Sequence, residues 1–113
     1  MKETGDFVWC AERLKALADP ERLRIVTALL DGPRHVGVLA EELNDGIVKV
    51  SHHLGVLRTN GLVTATKQGR FVEYALHPSI FIVADPNDPQ NCLDLGCCRL
   101  ELPGNDDRAK RKH

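Results

Sequence analysis

Apolar residues near the start of the chain recur every three or four positions, the spacing that places side chains on one face of a helix. Phe7, Cys10, Leu14 and Leu17 follow this spacing. The pattern predicts a first helix over about residues 6–18.

A second helix has both a start signal and a stop signal in the sequence. Asp19 is a favourable N-cap residue, and Pro20 fits the first helical position. Gly32-Pro33 ends this helix, because neither residue continues a helix well. The apolar pattern then predicts a short helix over about residues 35–43.

A fourth helix follows a segment with the composition of a tight turn, Asn-Asp-Gly at positions 44–46. The apolar spacing predicts that this helix runs from about Ile47 to Thr59. Asn60-Gly61 is a suitable C-terminal stop, since both residues tolerate positive φ angles.

Beyond this helix, β-branched and aromatic residues replace the helical pattern. The stretch LVTATKQGRFVEYAL, with Gln68-Gly69-Arg70 at its centre, predicts a β-hairpin. After a Pro-rich linker, CLDLGCCRLEL is a further strand-like run whose apolar register changes at Gly96-Cys97, which predicts a bulge. The order of elements is that of a winged helix-turn-helix: mainly α with a β-hairpin wing (α+β), followed by a C-terminal strand-like extension.

The fourth predicted helix has one apolar side and one polar side. On a helical wheel, Val50, Leu54 and Leu57 fall together and face the core. Adjacent residues on a helix diverge, so the neighbouring His52 and His53 are not expected to chelate one ion together. The outward candidates for DNA contact are Lys49, Ser51, His52, Gly55, Arg58 and Thr59.

This outward face suits a helix lying in a major groove, where polar side chains reach base edges and cations contact phosphates. An ordinary solvated helix face has a similar composition, so the face alone does not decide the function. The predicted hairpin tip adds Lys67, Gln68 and Arg70, which form a basic wing placed to contact the DNA backbone or minor groove. Double-stranded DNA is therefore the expected partner.

Three segments resemble the ArsR/SmtB family of winged-helix repressors: LKALADPERLRIVTALLDGP, VSHHLGVLRTNGLV and TKQGRFVEYAL, within roughly residues 11–81. The resemblance implies a sequence-specific, DNA-binding transcriptional repressor that acts as a homodimer. It gives His52 the variable, DNA-facing position and His53 a packing or phosphate-flanking one. Gly46 and Ile47 replace the hydroxyl residue and Gln that often open the recognition helix in the family, so Asn44 or Asp45 is expected to cap it.

The resemblance also divides the chain into functional segments. We expect a winged helix-turn-helix DNA-binding and dimerisation domain over residues 1–81, and a linker with a C-terminal strand-like segment over residues 82–103. Residues 104–113 are expected to form a mobile basic tail. The strand-like segment stands in place of the last helix found in relatives. Phe7, Cys10 and Leu14 on the first helix are the expected dimer contacts.

The four cysteines leave three interpretations open. Cys92, Cys97 and Cys98 could bind a thiophilic metal or metalloid ion such as zinc, cadmium, lead or arsenite, which would release the repressor from DNA. Cys10 could contribute to this site across the dimer. Alternatively, the cysteines are structural, or they form a redox switch. The Cys-x-Cys site of arsenic-sensing relatives is absent, because His35 and Gly37 occupy those positions.

Composition narrows the remaining possibilities. Apolar residues make up 42% and charged residues 27% of the 113 residues, as in folded globular proteins. No apolar run approaches the roughly 18 residues that a membrane span needs, and no signal core is present, so a cytoplasmic protein with no membrane partner is expected.

Phosphate loops and convergent catalytic groups are also missing, so an enzyme is not expected. The alternative is a winged-helix regulator or protein-interaction module with no metal sensing and structural cysteines.

Overall fold

The computed structural model describes residues 4–82 and 92–102, so the predicted basic tail and most of the linker lie outside the described residues. The bounds of the helices and strands follow in chain order: α1 Thr4–Leu17, α2 Pro20–Leu29, β1 Arg34–His35, α3 Val36–Leu43, α4 Ile47–Thr59, β2 Val63–Gln68, β3 Phe71–Leu76, β4 Phe81–Ile82, β5 Cys92–Asp94 and β6 Arg99–Glu101. These elements confirm the predicted winged helix-turn-helix with a strand-like C-terminal extension.

The start of α2 follows from its sequence signal. The Asp19 carboxylate accepts hydrogen bonds from the backbone N–H of Glu21 at 2.8 Å and of Arg22 at 3.1 Å. These bonds satisfy N–H groups that have no partner within the first turn of a helix. The predicted N-cap and the proline at the first helical turn are confirmed.

The connection between α3 and α4 sets the direction of α4. Asn44 takes a left-handed conformation with a φ of 53°, and the Asp45 N–H donates to the Ala40 carbonyl at 2.9 Å. Gly46 is the N-cap of α4 and makes no side-chain capping bond. The expectation that Asn44 or Asp45 would cap α4 is wrong, because the Asp45 carboxylate accepts from the Gly46 N–H, ahead of the helix.

The core joins the apolar sides of the helices to residues of both sheets. Leu39, Leu54 and Leu57 are fully buried, and so are Leu93 and Leu95 from the C-terminal region. The C-terminal segment is therefore part of the same core as the helices. Burial of a leucine stabilises a fold by about 1.5–3 kcal/mol, so this packing holds the segment in place.

Two small antiparallel sheets flank the helices. In the first sheet the strand order is β1-β3-β2, and Gln68 of β2 pairs with Phe71 of β3 next to the hairpin tip. Gly69 supplies the positive φ angle of 62° that this tight turn requires. The predicted wing is confirmed, whereas its pairing with β1 was not predicted.

The second sheet has the strand order β4-β5-β6 and corrects one expectation. The change of apolar register near Gly96 is not a bulge within one strand. It marks a turn between β5 and β6, closed by a bond from the Leu95 N–H to the Cys98 carbonyl at 2.9 Å. Gly96 has a φ of 100°, which other residues rarely adopt, and its N–H donates to the Asp94 carboxylate.

Candidate nucleic-acid interface and thiol cluster

The helix α4 is fixed by its apolar stripe and presents its other side to solvent. Val50, Leu54 and Leu57 are buried, as the helical wheel predicted. The six residues proposed for DNA contact on this helix are all exposed: Lys49, Ser51, His52, Gly55, Arg58 and Thr59. The buried stripe therefore sets the orientation of the exposed face.

The two adjacent histidines have different environments. His52 is exposed, whereas His53 is only 8% exposed and lies between α4 and α2. The Nδ1 atom of His53 is 3.2 Å from the Nη1 atom of Arg22, and the Arg22 Nε donates to the Ala16 carbonyl at 2.5 Å. His53 therefore joins α4 to α2 by packing and hydrogen bonding.

Lys49 has acidic neighbours that the helical wheel did not reveal. Its Nζ lies 3.6 Å from a carboxylate oxygen of Glu21 and 3.9 Å from one of Asp45, although the side chain remains 56% exposed. Exposed ion pairs of this kind contribute about 0–1 kcal/mol, so they are weak enough to exchange for a phosphate. Ile47 and Val48 are 51% and 80% exposed on the first turn of α4, and the sequence did not single out Val48.

The tip of the wing carries the predicted polar residues. Lys67, Gln68 and Arg70 are exposed, and the Gln68 amide donates to the Glu73 carboxylate at 3.3 Å. Next to the tip, Phe71 is 55% exposed and its ring stacks on that of His35 with a centroid distance of 5.0 Å. The wing therefore offers both cationic and apolar groups to a partner.

The cysteines that lie close together are not the set that the sequence predicted. Cys10 of α1 and Cys97 of the β5–β6 turn form a disulfide within one chain, and Cys98 is free. The Sγ atoms of these three residues lie within 4.8 Å of one another. Of the predicted Cys92, Cys97 and Cys98, the structure brings Cys97 and Cys98 together with Cys10, because the turn packs against α1, and Cys92 lies outside this group. Metal binding by these cysteines stays a prediction.

The expected dimer contacts on α1 also separate into two kinds. Phe7 and Leu14 are 56% and 41% exposed, and Val8 and Trp9 between them are exposed as well. Cys10, in contrast, is fully buried within its own chain and has no exposed surface for a partner. Its burial follows from the disulfide to Cys97, which a sequence pattern within α1 does not reveal.

A buried arginine lies beside the thiol cluster. The Arg13 guanidinium stacks on the Trp9 ring at 3.5 Å from its centroid, a cation–π contact. Arg13 is 6% exposed, its Nε has no hydrogen-bond partner among the described residues, and burial lowers its pKa from the ordinary value. Trp9 also packs on the turn, since a Cβ at Gly96 would lie 2.9 Å from its ring.

Comparisons with known proteins agree with this geometry. The family profile described as "Bacterial regulatory protein, arsR family" matches residues 19–65, from the cap of α2 into the wing. The HTH-type transcriptional regulator CmtR of Mycobacterium tuberculosis is 54% identical over 65 residues, which are 58% of this chain and 55% of CmtR. The chain thus spans little more than half the length of this relative.

Two further proteins match a larger share of their own length. The transcriptional repressor SdpR of Bacillus subtilis is 32% identical over 66 residues, covering 58% of this chain and 73% of SdpR. A solution structure of a homodimeric winged helix-turn-helix DNA-binding domain from Mycobacterium bovis is 30% identical, with a TM-score of 0.62. That match covers 65% of this chain and 68% of the solved domain.

Proposed function

Because the chain belongs to the ArsR family of bacterial regulatory proteins, we propose that it is a homodimeric transcriptional repressor that binds a double-stranded DNA operator. The observation that carries this proposal is the exposed polar face of α4 beside a basic wing. A buried apolar stripe holds this face outward. Repression then follows from occupancy of the operator, and it requires binding and release of DNA rather than catalysis.

The exposed side of α1 supports the homodimer. Phe7, Val8, Trp9 and Leu14 present apolar surface on one helix. Phe7 and Leu14 are two helical turns apart, so they lie on the same side of α1, where exposed apolar surface indicates an interaction site. The solved Mycobacterium bovis domain to which this chain is similar is itself described as homodimeric. A second copy of the same α1 is the partner that fits a symmetric apolar face.

In the dimer, two α4 helices would enter successive major grooves about 34–36 Å apart, so the operator would be an imperfect palindrome. Ser51, His52 and Thr59 would contact base edges, and Gly55 would leave room for close approach, since a Cβ there would contact nothing within 4 Å. The cationic residues Lys49, Arg58, Lys67 and Arg70 would contact phosphates, and Gln68 would add a hydrogen bond from the wing.

A second function has specific support. Ile47, Val48 and Phe71 expose apolar surface on α4 and the wing, and Lys49 is already paired with Glu21 and Asp45. An apolar surface with partly neutralised charge also suits a protein partner. The winged helix would then be a protein-interaction module, acting in the cytoplasm like the proposed repressor. Within the described residues, no helix is long and apolar enough to cross a membrane.

Salt dependence of binding distinguishes the two functions. We expect the protein to bind the DNA upstream of its own coding sequence, with an affinity that falls steeply as salt rises, because phosphate contacts release counterions. The double variant Lys49→Ala with Arg70→Ala should bind this DNA more weakly and reduce the slope of log affinity against log salt by about 2 per chain. Fluorescence anisotropy at several salt concentrations measures both quantities.

The matched control is Lys15→Ala, which removes an exposed lysine at the end of α1. This variant should keep the affinity and the slope of the unmodified protein, and all three proteins should be dimers by sedimentation. If the double variant binds DNA as the unmodified protein does, Lys49 and Arg70 are not part of the site. DNA binding that is absent or independent of salt would favour the protein-interaction module.

A further inference from the structure

We propose that the Phe71 ring is an apolar DNA contact of the wing, which packs against deoxyribose in the minor groove while the His35 ring supports it from the other side. This inference deepens the proposed repressor function and rests on it. Phosphate and polar contacts fix a protein on the duplex, and an apolar contact with the sugars is a separate kind of interaction. Phe71 is 55% exposed at the end of a basic wing, which leaves an aromatic surface without a partner.

The register of the first sheet places Phe71 and His35 on the same face of the wing. Gln68 of β2 pairs with Phe71 of β3, and His35 of β1 pairs with Glu73, two positions further along β3. Side chains of directly paired residues share a face, and so do side chains two positions apart in one strand. These four side chains therefore form one face.

The His35 ring covers one side of the Phe71 ring and holds it in place. The two rings are nearly parallel, with an interplanar angle of 8° and a centroid distance of 5.0 Å. The other side of the Phe71 ring is open, as its exposure shows. A side chain that is already held by a neighbour loses little conformational freedom on binding, so the contact is preorganised. His35 is therefore a positioning residue for Phe71.

The position of His35 indicates which part of DNA this face meets. His35 is the N-cap of α3, the helix that precedes α4 in the helix-turn-helix. With α4 in a major groove and the wing in the adjacent minor groove, the sugar–phosphate strand that separates the grooves runs between them. The face that carries Phe71 lies beside the start of α3. It is therefore turned towards this strand.

The charges around Phe71 favour DNA as its partner. Arg70 directly precedes it, and both Arg70 and Lys67 are exposed, so they attract phosphates on either side of a sugar. Glu73 shares the face with Phe71, but its carboxylate accepts a hydrogen bond from the Gln68 amide at 3.3 Å. The face of an aromatic ring carries partial negative charge, which suits the polarised C–H groups of a sugar better than a phosphate.

A salt series with the full-length protein and its upstream DNA separates the apolar contact from the ionic contacts. Phe71→Ala should lower the affinity by roughly tenfold for each chain, or about 100-fold for the dimer, because a half-exposed ring is no longer buried on binding. The slope of log affinity against log salt should stay unchanged, since a sugar contact releases no counterion. Lys67→Ala should instead reduce this slope by about 1 per chain.

The matched control is Val72→Ala, which removes an exposed apolar side chain from the next position of β3, on the opposite face. This variant should keep the affinity of the unmodified protein. His35→Ala should weaken binding without changing the slope, whereas His35→Phe retains a ring that can stack and should restore the affinity. Circular dichroism and sedimentation should show that every variant is folded and dimeric.

Hydroxyl-radical footprinting identifies the sugars directly, because these radicals remove hydrogen atoms from deoxyribose at the edge of the minor groove. The unmodified protein should protect a short run of sugars where each wing lies. Phe71→Ala, at a concentration that saturates the DNA, should lose this protection and keep the protection around α4.

The possible outcomes distinguish this inference from the proposed function. Equal affinity of Phe71→Ala and the unmodified protein, an equal loss in Val72→Ala, or a changed slope in Phe71→Ala would overturn the sugar contact and leave the repressor in place. A monomeric Phe71→Ala would assign the ring to a second copy of the chain and overturn the inference. An unmodified protein that does not bind DNA would overturn both the inference and the proposed function.

Discussion

At the scale of single residues, Asp19 shows how one side chain acts on two helices. Its carboxylate caps α2 by accepting from the backbone N–H groups of Arg22 and Glu21. Arg22 in turn lies against the His53 ring on α4. The cap therefore stabilises the first turn of α2. Arg22 on this turn contacts His53, which is on the buried side of α4.

The same residue gives a prediction for the dependence of stability on pH. The hydrogen bond from the Arg22 N–H, and after it the one from Glu21, hold the pKa of Asp19 below its ordinary value. A lowered folded-state pKa means that the stabilisation is present above the unfolded-state pKa and is lost as the pH falls through the folded-state pKa. Asp19→Ala should therefore lower the Tm at neutral pH, and this difference should shrink at acidic pH.

Thermal unfolding followed by circular dichroism at several pH values measures this difference. Glu12→Ala, which removes an exposed carboxylate from α1, is the control and should leave the Tm close to that of the unmodified protein at every pH. A destabilisation by Asp19→Ala that stays constant down to strongly acidic pH would contradict the role assigned to the carboxylate.

At the scale of elements, α4 combines a polar face with an apolar first turn. Ile47 and Val48 are exposed on this turn, and Val48 is 80% exposed. In a major groove, apolar side chains contact the methyl group of thymine. The first turn of α4 would then recognise thymine by apolar contact with its methyl group rather than by hydrogen bonds.

Val48→Ala tests this role of the first turn. Loss of two carbon atoms from a buried apolar contact costs about 1.6 kcal/mol for each chain, or about 3.2 kcal/mol for the dimer, so operator affinity should fall by roughly 200-fold. Stability should not fall, since the side chain is exposed in the free protein and alanine is the better helix former. Anisotropy with the operator, and with an operator in which deoxyuridine replaces thymidine, measures the contribution of the methyl groups.

On the deoxyuridine operator, which lacks these methyl groups, the unmodified protein and Val48→Ala should bind equally. The same difference in affinity on both operators would show that Val48 acts in another way. Binding to DNA of random sequence should be unaffected by the substitution, because that binding depends on phosphates.

The sequence predicted those features of the fold that are specified by residues close together in the chain. The cap at Asp19, the spacing of Val50, Leu54 and Leu57, and the glycine of the wing each lie within a few residues of the structure that they specify. The approach of Glu21 to Lys49 was missed, since it depends on how α2 packs against α4. The sequence does not distinguish the turn at Gly96 from a bulge, because both structures change the apolar register of a strand.

At the scale of the whole molecule, the fold brings distant parts of the chain together. Cys10 and Cys97 are 87 positions apart, and no sequence pattern indicates that they meet. They do so because Leu93 and Leu95 are buried in the same core as the helices, which places the following turn against α1. The exposed apolar residues of α1, the thiol cluster and the end of α4 are consequently parts of one packed unit.

We propose that the exposed face of α4 contacts DNA in the dimer. Photo-crosslinking from position 52 tests it most directly, with a photoreactive amino acid replacing His52, which is exposed and outside the core. In the presence of upstream DNA, irradiation should join the protein to DNA, and the yield should fall as salt rises. Crosslinking to a second copy of the chain instead, with or without DNA, would contradict the claim.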